Sequence, residues 1–337
     1  MHKKLRLAVV PLLLIIILLP YSAGARAGEI SLIIDTDAAV DDLMAIAFLL
    51  ARKDVRIEAI TVTNGLAHVR PGGMNVRKLL ELGGKKDVPV YLGRETPLRG
   101  QAEFPKEWRL GADELSGVQL PMTSGKPEAE SAGQYLVKRL QDPRHPARIL
   151  ALGPLTNLGE VLQRAPQAAQ AIDEMVIMGG AVGVPGNLSD IQTDNKTAEW
   201  NFFIDPLAAS LAFASGIKIT LVPLDATNKV PIDLTFLREF QAKARTPLGR
   251  VVGQLLESSR PLIEENSYFA WDPLAAVVLV DPSVVTLRSA AIAVKQEPPE
   301  EGRTVEVAGH PPNARVAVDA KAAEFKRIFF GALASQE

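Results

Sequence analysis

Four carboxylates fall within eight positions in Asp35-Thr36-Asp37-Ala38-Ala39-Val40-Asp41-Asp42, directly after the apolar run Leu32-Ile33-Ile34. The segment that follows, residues 43–50, is apolar throughout and reads as a buried helix. The chain must therefore pass from strand to helix within one acidic turn. In open α/β sheets such turns lie at the C-terminal edge of the strands, where ligands bind. Crowded carboxylates repel one another, and a bound cation is the usual remedy. Hard divalent ions such as Ca²⁺ take carboxylate, carbonyl and water oxygens. Asp41 or Asp42 alone also suits the positive end of the next helix as a cap. Capping leaves Asp35 and Asp37 unexplained.

The rest of the chain repeats this strand-then-helix alternation. A β-branched run at 57–63 ends at Asn64-Gly65, and 75–82 reads as a helix stopped by Gly83-Gly84. A short strand at 88–91 precedes a polar, Gly- and Pro-rich stretch at 92–128 that reads as a long loop or lid. Then come a helix at 134–140, a strand at 148–152, a helix opened by Pro154 and a strand at 175–178. An irregular stretch at 181–197 leads to an aromatic-rich strand at 198–203. Asp205 caps a helix to 215, and 217–222 is a strand. Helices at about 232–243 and 247–265 follow, then an apolar helix from Trp271-Asp272-Pro273 to 280. Two strands near 285–295 and 304–318 and a helix from Ala322 complete the chain. Such alternation predicts an α/β fold, a mostly parallel central sheet flanked by helices.

Residues 1–27 stand apart from this pattern. Lys3, Lys4 and Arg6 precede an apolar run at 7–20, and Ala25-Arg26-Ala27 fits a small-residue cleavage site. The run is about 14 residues, whereas a membrane span needs about 20. A cleaved secretory signal is the expectation, with a periplasmic or secreted product; an uncleaved tether is the alternative. Residues 28–337 are then one catalytic domain, without internal repeat or clear linker. With no cysteine, disulfides play no part. Hydrophobic residues make up 47% of the chain, enough for a sizeable core. A formal net charge of −2 without a basic stripe argues against nucleic acid as partner.

The motifs taken together resemble the inosine–uridine-preferring nucleoside hydrolase family. The likeness rests on Asp35-Thr36-Asp37 with Asp41-Asp42, then Leu152-Gly153-Pro154-Leu155-Thr156-Asn157-Leu158 and Met178-Gly179-Gly180. Gly186-Asn187, Glu199-Trp200-Asn201, Asp205-Pro206, residues 222–227 and Trp271-Asp272-Pro273-Leu274-Ala275 follow in the family's order. The resemblance implies a Rossmann-like nucleoside hydrolase fold and hydrolysis of the N-glycosidic bond of ribonucleosides, with one Ca²⁺ as cofactor. It implies carboxylate ligands from Asp37, Asp42 and Asp272, a main-chain ligand from Leu152, and Asp37 as general base for a Ca²⁺-bound water. Asp41, Asn187, Glu199 and Asn201 would hold ribose hydroxyls, with Asn64 a further substrate contact. The expected partner is a small-molecule nucleoside, with a homo-oligomer left open.

Each residue also has a plainer reading. Asn64 and Asn187 suit turns beside glycine, Asn157 suits a helix cap, and Asp225 either faces the site or braces its turn. Trp108 is lid packing or a base-stacking residue. Asp190, Asp194 and Asn195 are solvated loop or extra substrate contacts. Two departures from the family stand out. Ala38-Ala39 replace the usual Pro-Gly, and Ala39 adopts a positive φ less cheaply than Gly. Trp271 stands where the better-known branch has a His that helps the base depart, as in the purine-specific branch. The bland alternative for Trp271 is packing against Tyr268 and Phe269. Of four histidines only His68, after the second strand, is placed to approach the site. Purine nucleosides are the expected substrates. Two other readings compete: a nucleoside-binding protein without turnover, and a phosphohydrolase with Asp35 as nucleophile.

Overall fold

The computed structural model describes residues 29–188, 191 and 193–334. The leader expected at 1–27, and Asp190, lie outside the described residues. The strands are β1 (Ile30–Thr36), β2 (Val55–Val62), β3 (Val90–Leu92), β4 (Ala147–Ala151), β5 (Ile172–Met178) and β6 (Ile219–Val222). They continue with β7 (Val285–Ala290), β8 (Ile292–Val294), β9 (Thr304–Glu306) and β10 (Ala314–Ala320). Eight of them form one sheet in the order β3-β2-β1-β4-β5-β6-β10-β7, parallel throughout except between β10 and β7. β8 and β9 form a separate antiparallel pair. The mostly parallel sheet expected from the alternation is present.

The chain runs outward from β1 to β3 and then crosses to β4 on the other side of β1. Strand order reverses there, and the C-terminal ends of β1 and β4 open a crevice. Asp35 lies opposite Thr61 of β2 and Ala151 of β4, so Asp37 and Leu152 emerge just beyond the sheet.

Both faces of the sheet are covered, which is why its strands read as continuous apolar runs. Helices Val40–Leu50, Val69–Leu82, Pro247–Ser258, Trp271–Val280 and Ala322–Leu333 pack on one face. Helices Ala132–Arg139, Thr156–Arg164 and Pro206–Ala214 pack on the other. Leu43, Met44, Ile46, Phe48 and Leu49 of the first helix are all buried. Each such side chain contributes about 1.5–3 kcal/mol on burial. That helix is therefore fixed against the sheet, and Asp41 and Asp42 in its first turn are fixed with it.

Several boundaries differ from the sequence reading, each for a physical reason. The helix expected from 75 begins at Val69, because Pro71 is tolerated in a first turn. Gly73 packs so closely that a Cβ there would lie 2.4 Å from Leu92 Cδ2. The stretch 92–128 is not all loop: it contains helix Lys106–Asp113 and a 3₁₀ turn at Leu115–Gly117, anchored by buried Phe104 and Leu115. Pro154 does not open the following helix, which starts at Thr156. The aromatic segment after Ala198 is a short helix, Trp200–Ile204, rather than a strand. The helix expected at 247–265 divides before Pro261 into Pro247–Ser258 and Arg260–Glu264. The two terminal strands are four, with 304–318 interrupted by Gly309 and Pro311-Pro312.

Candidate metal centre and nucleoside site

The acidic turn after β1 folds back on itself. Asp42 accepts from Thr36 Oγ1, from Asp37 N at 3.2 Å and from Ala39 N at 3.1 Å. Ala38 takes the left-handed conformation with φ 57, while Ala39 is extended at φ −67. The positive φ expected to trouble Ala39 thus falls on Ala38, where it costs about 1–2 kcal/mol. Proline, fixed near −65°, is excluded from that conformation. Asp37 is held between two glycines. A Cβ on Gly65 would lie 2.1 Å from Asp37 Oδ2, and one on Gly153 would lie 2.8 Å from Asp37 Cβ. With Gly65 so close, Leu66 N reaches Asp37 Oδ2 at 2.7 Å.

Asp272 arrives from the far side of the sheet order, in the first turn of helix Trp271–Val280, which packs on helix Val40–Leu50. Carboxylate oxygens of Asp41, Asp42 and Asp272 lie within 4.8 Å of one another. Asp37 belongs to the same electrostatic group, since Asp42 is the charge that acts on it most strongly. Burial, with Asp42 beside each, holds Asp37 and Asp272 well above the usual carboxylate range. Burial, with Asp37 adding repulsion, pushes Asp41 up to about 7. This donor set of hard, crowded oxygens fits a divalent cation. The Leu152 carbonyl accepts Asn201 Nδ2 at 2.8 Å and keeps a second lone pair for a metal.

The residues expected around a ribose gather beside this group. Glu199 caps helix Trp200–Ile204 and accepts from Gly180 N at 2.8 Å, Asn201 N at 2.9 Å and Phe202 N at 3.3 Å. Its partners are thus main-chain amides, and burial still pushes it up to about 7. Asn201 spends its amide on the Leu152 and Met178 carbonyls, which leaves its Oδ1 as an acceptor. Asn187 Oδ1 accepts from Trp200 N at 3.1 Å, so its Nδ2 remains a donor. Asn64 is buried at the end of β2. Trp271 is half-buried, edge-on to Tyr268 at 5.2 Å and tilted on Phe269 at 6.0 Å.

Other residues singled out in the sequence prove structural. Asp205 caps helix Pro206–Ala214, as expected, and also accepts from Leu98 N and Thr156 Oγ1. Asp225 braces the turn at 182–183 through Val182 N and Gly183 N. Asn157 is no cap: its Nδ2 donates to Asp35 Oδ1 at 2.8 Å. Asn195 is neither solvated nor turned to the site, since it holds Ala198 N and donates to the Glu301 carbonyl. Trp108 packs on Trp200 with ring centroids 5.7 Å apart and remains 38% exposed. His68 is tied down, its Nδ1 2.7 Å from Asp113 Oδ2. Sequence reasoning missed Thr36, Thr61 and Leu66. Their contributions are a hydroxyl on a strand and a bare amide, which no residue pattern marks.

The family profile described as inosine-uridine preferring nucleoside hydrolase matches residues 32–327. The chain belongs to that family. A pyrimidine-specific ribonucleoside hydrolase, RihA of Salmonella agona, is 31% identical over 301 residues, 86% of this chain and 93% of that one. The plant nucleoside hydrolase PpNRh1 superposes with a TM-score of 0.81 at 29% identity, over 91% of this chain and 99% of that one. A purine-preferring ribonucleoside hydrolase from Gardnerella vaginalis gives 0.80 at 26% identity, over 90% and 98%. This nucleoside hydrolase is therefore an N-glycosidase of a metal-dependent family, and it carries an acid cluster at the edge of its sheet.

Proposed function

We propose that this nucleoside hydrolase releases base and ribose from purine ribonucleosides in preference to pyrimidine ones, using Ca²⁺ held by Asp37, Asp42, Asp272 and the Leu152 carbonyl. The observation that carries the metal is the meeting of Asp41, Asp42 and Asp272 within 4.8 Å in buried surroundings. When bound, Ca²⁺ supplies a Lewis acid that eases deprotonation of water and gathers vicinal hydroxyls. Asp37 is the base, its carboxylate oriented by the Leu66 N–H on Oδ2. Asp41, Asn187, Glu199 and Asn201 hold the ribose hydroxyls, and Asn64 makes a further contact. Bond cleavage turns the sugar oxocarbenium-like, and the carboxylates beneath it stabilise that charge.

Departure of the base requires neutralisation of its growing negative charge. His68 pairs with Asp113 and His145 with Asp142, and the position just before Asp272 holds Trp271 rather than a proton-donating His. Trp271 stacks on the purine instead, raising the basicity of its ring nitrogens until solvent protonates it. A pyrimidine preference is the second reading, favoured by the likeness to the pyrimidine-specific RihA. The N-terminal 27 residues direct export, with the enzyme acting in the periplasm or outside the cell. The test is a panel of inosine, adenosine, guanosine, uridine and cytidine, with Ca²⁺ or with chelator, reading released base. Purine turnover abolished by chelator is the expected result. Faster uridine cleavage supports the second reading, and turnover indifferent to chelator overturns the metal.

A further inference from the structure

One buried carboxyl beneath the acid cluster has no part in the roles above. Asp35 is fully buried on β1, two residues before Asp37, which lies just past the strand's end. Its Oδ1 accepts from Thr61 Oγ1 of β2 at 2.5 Å and from Asn157 Nδ2 at 2.8 Å. Its main-chain oxygen accepts from Leu152 N at 2.8 Å. A single residue therefore grips the segment 152–157 at both ends, by backbone at Leu152 and by side chain at Asn157. Between these points Gly153 presses against Asp37, and the helix beginning at Thr156 has no side-chain cap of its own.

The consequence is geometric. A Ca²⁺ ligand must lie within 2.3–2.6 Å of the ion, roughly, so the Leu152 carbonyl has little freedom relative to Asp37 and Asp42. Helix Val40–Leu50 fixes Asp42, whereas the turn carrying Leu152 is held at its two ends by Asp35, with Asn201 Nδ2 on the Leu152 carbonyl itself. We propose that Asp35, with Asn157 and Thr61, is a positioning residue that sets the Leu152 carbonyl against the metal-binding carboxylates. This rests on the metal reading above. Asp35 acts as a hydrogen-bond acceptor, and its charge is not what the clamp uses. An amide at this position keeps Oδ1 as acceptor for both Thr61 and Asn157. Asp35 Oδ2 has no hydrogen-bond partner among the described residues, so Asp35→Asn places its NH₂ there without breaking either bond to Oδ1.

The test is calorimetric titration of the chelator-stripped full-length protein with Ca²⁺, alongside kcat at saturating Ca²⁺. Asn157→Ala should raise the Ca²⁺ Kd about 10–100-fold, as loss of outer-shell support generally does. Its kcat at saturating Ca²⁺ should return close to wild type, because every ligand is still present. Thr61→Val, a near-isosteric change that spares the fold, should shift the Kd in the same direction by less. Asp35→Asn should restore the affinity that Asp35→Ala loses. If Asp35→Asn binds Ca²⁺ as poorly as Asp35→Ala, or Asn157→Ala binds it as wild type does, the clamp is overturned and the metal reading survives. A wild-type chain that takes up no Ca²⁺ overturns the metal reading and the clamp with it.

Discussion

The two ends of the central sheet treat their carboxylates in opposite ways. At the N-terminal end acids are matched with arginines: Asp54 with Arg52, Glu29 with Arg56, Glu58 with Arg139 and Glu174 with Arg315. At the C-terminal end Asp35, Asp37, Asp41, Asp42, Glu199 and Asp272 have no lysine, arginine or histidine partner among the described residues. Their partners are main-chain amides, hydroxyls, the Asn157 side-chain amide and one another. Partly exposed ion pairs such as Arg52–Asp54 contribute about 0–1 kcal/mol. An ion buried without compensation costs several kcal/mol even after relaxation. A sheet able to neutralise acids at one end leaves six unneutralised at the other, where its strand order opens a crevice. Asp205 is as buried and, like Asp42 and Glu199, accepts from three donors, so neither burial nor donor number sets the cluster apart. What distinguishes the cluster is that Asp41, Asp42 and Asp272 meet, with Asp42 also repelling Asp37.

The sharpest way to break this contrast is to remove the acids that face each other. Asp42→Ala deletes an expected ligand and the acceptor for Thr36, Asp37 N and Ala39 N together. Ca²⁺ binding and activity should disappear in parallel, read by calorimetry and base release. Asp37→Asn should reduce kcat on the order of 10²–10⁴-fold, the usual contribution of a general base. An Asp42→Ala enzyme that keeps both metal and turnover would show that the crowding serves something else.

How much of this was legible beforehand differs between the same two ends. The acidic turn announced itself because its residue types are dense and misplaced for a core. The run 43–50 revealed its helix through unbroken apolarity. The Asp35–Asn157 bond was hidden, because it joins positions far apart in the chain and Asn157 already fitted a cap. The resemblance places Glu199 among the ribose contacts, but the amides it accepts from, two of them on a helix too short to show periodicity, carry no mark in the sequence. Helix Lys106–Asp113 was masked by the glycines and prolines around it. Ala38 carries the strained φ because its neighbour Ala39 must be extended to offer its amide to Asp42, which only coordinates reveal.

A smaller effect distinguishes the ends by pH. Glu199 is pushed by burial from 4.5 to about 7. The native state then binds the proton more tightly than the unfolded chain does. Stability from this group is present below about pH 4.5 and is lost as pH rises through about 7. The whole shift corresponds to on the order of 3 kcal/mol. The Tm of metal-free enzyme should therefore fall between those limits, and Glu199→Gln should flatten part of the fall. A Tm that rises over the same interval would contradict the burial of an unpaired acid there.

Next in size is Trp271→Ala. Aromatic stacking contributes about 0.5–1.5 kcal/mol beyond burial, so kcat/KM for inosine should drop several-fold or more. A riboside with an activated leaving group such as p-nitrophenol should be much less affected, because it leaves without protonation. Equal losses on the two substrates would reduce Trp271 to packing against Tyr268 and Phe269.

The smallest effect is expected at the matched end. Asp54 accepts from Arg52 Nε at 2.9 Å and Arg52 Nη2 at 2.6 Å, with its side chain about half exposed. Arg52 beside it holds the carboxyl below its usual range. Asp54→Asn removes the charge but keeps a carbonyl oxygen for one of those donors. The main-chain bond from Ile30 N to the Asp54 carbonyl, which fixes the start of β1, is untouched. Denaturant unfolding should show a loss below about 1 kcal/mol, smaller still in high salt. Ca²⁺ affinity and turnover should be unchanged. The pH response should also be opposite in sign to that of Glu199. A lowered carboxylate contributes stability above its unfolded value and loses it as pH falls, so the variant and wild type should converge in acid. A loss in Asp54→Asn as large as in Asp42→Ala would mean that both ends depend on their carboxylates alike.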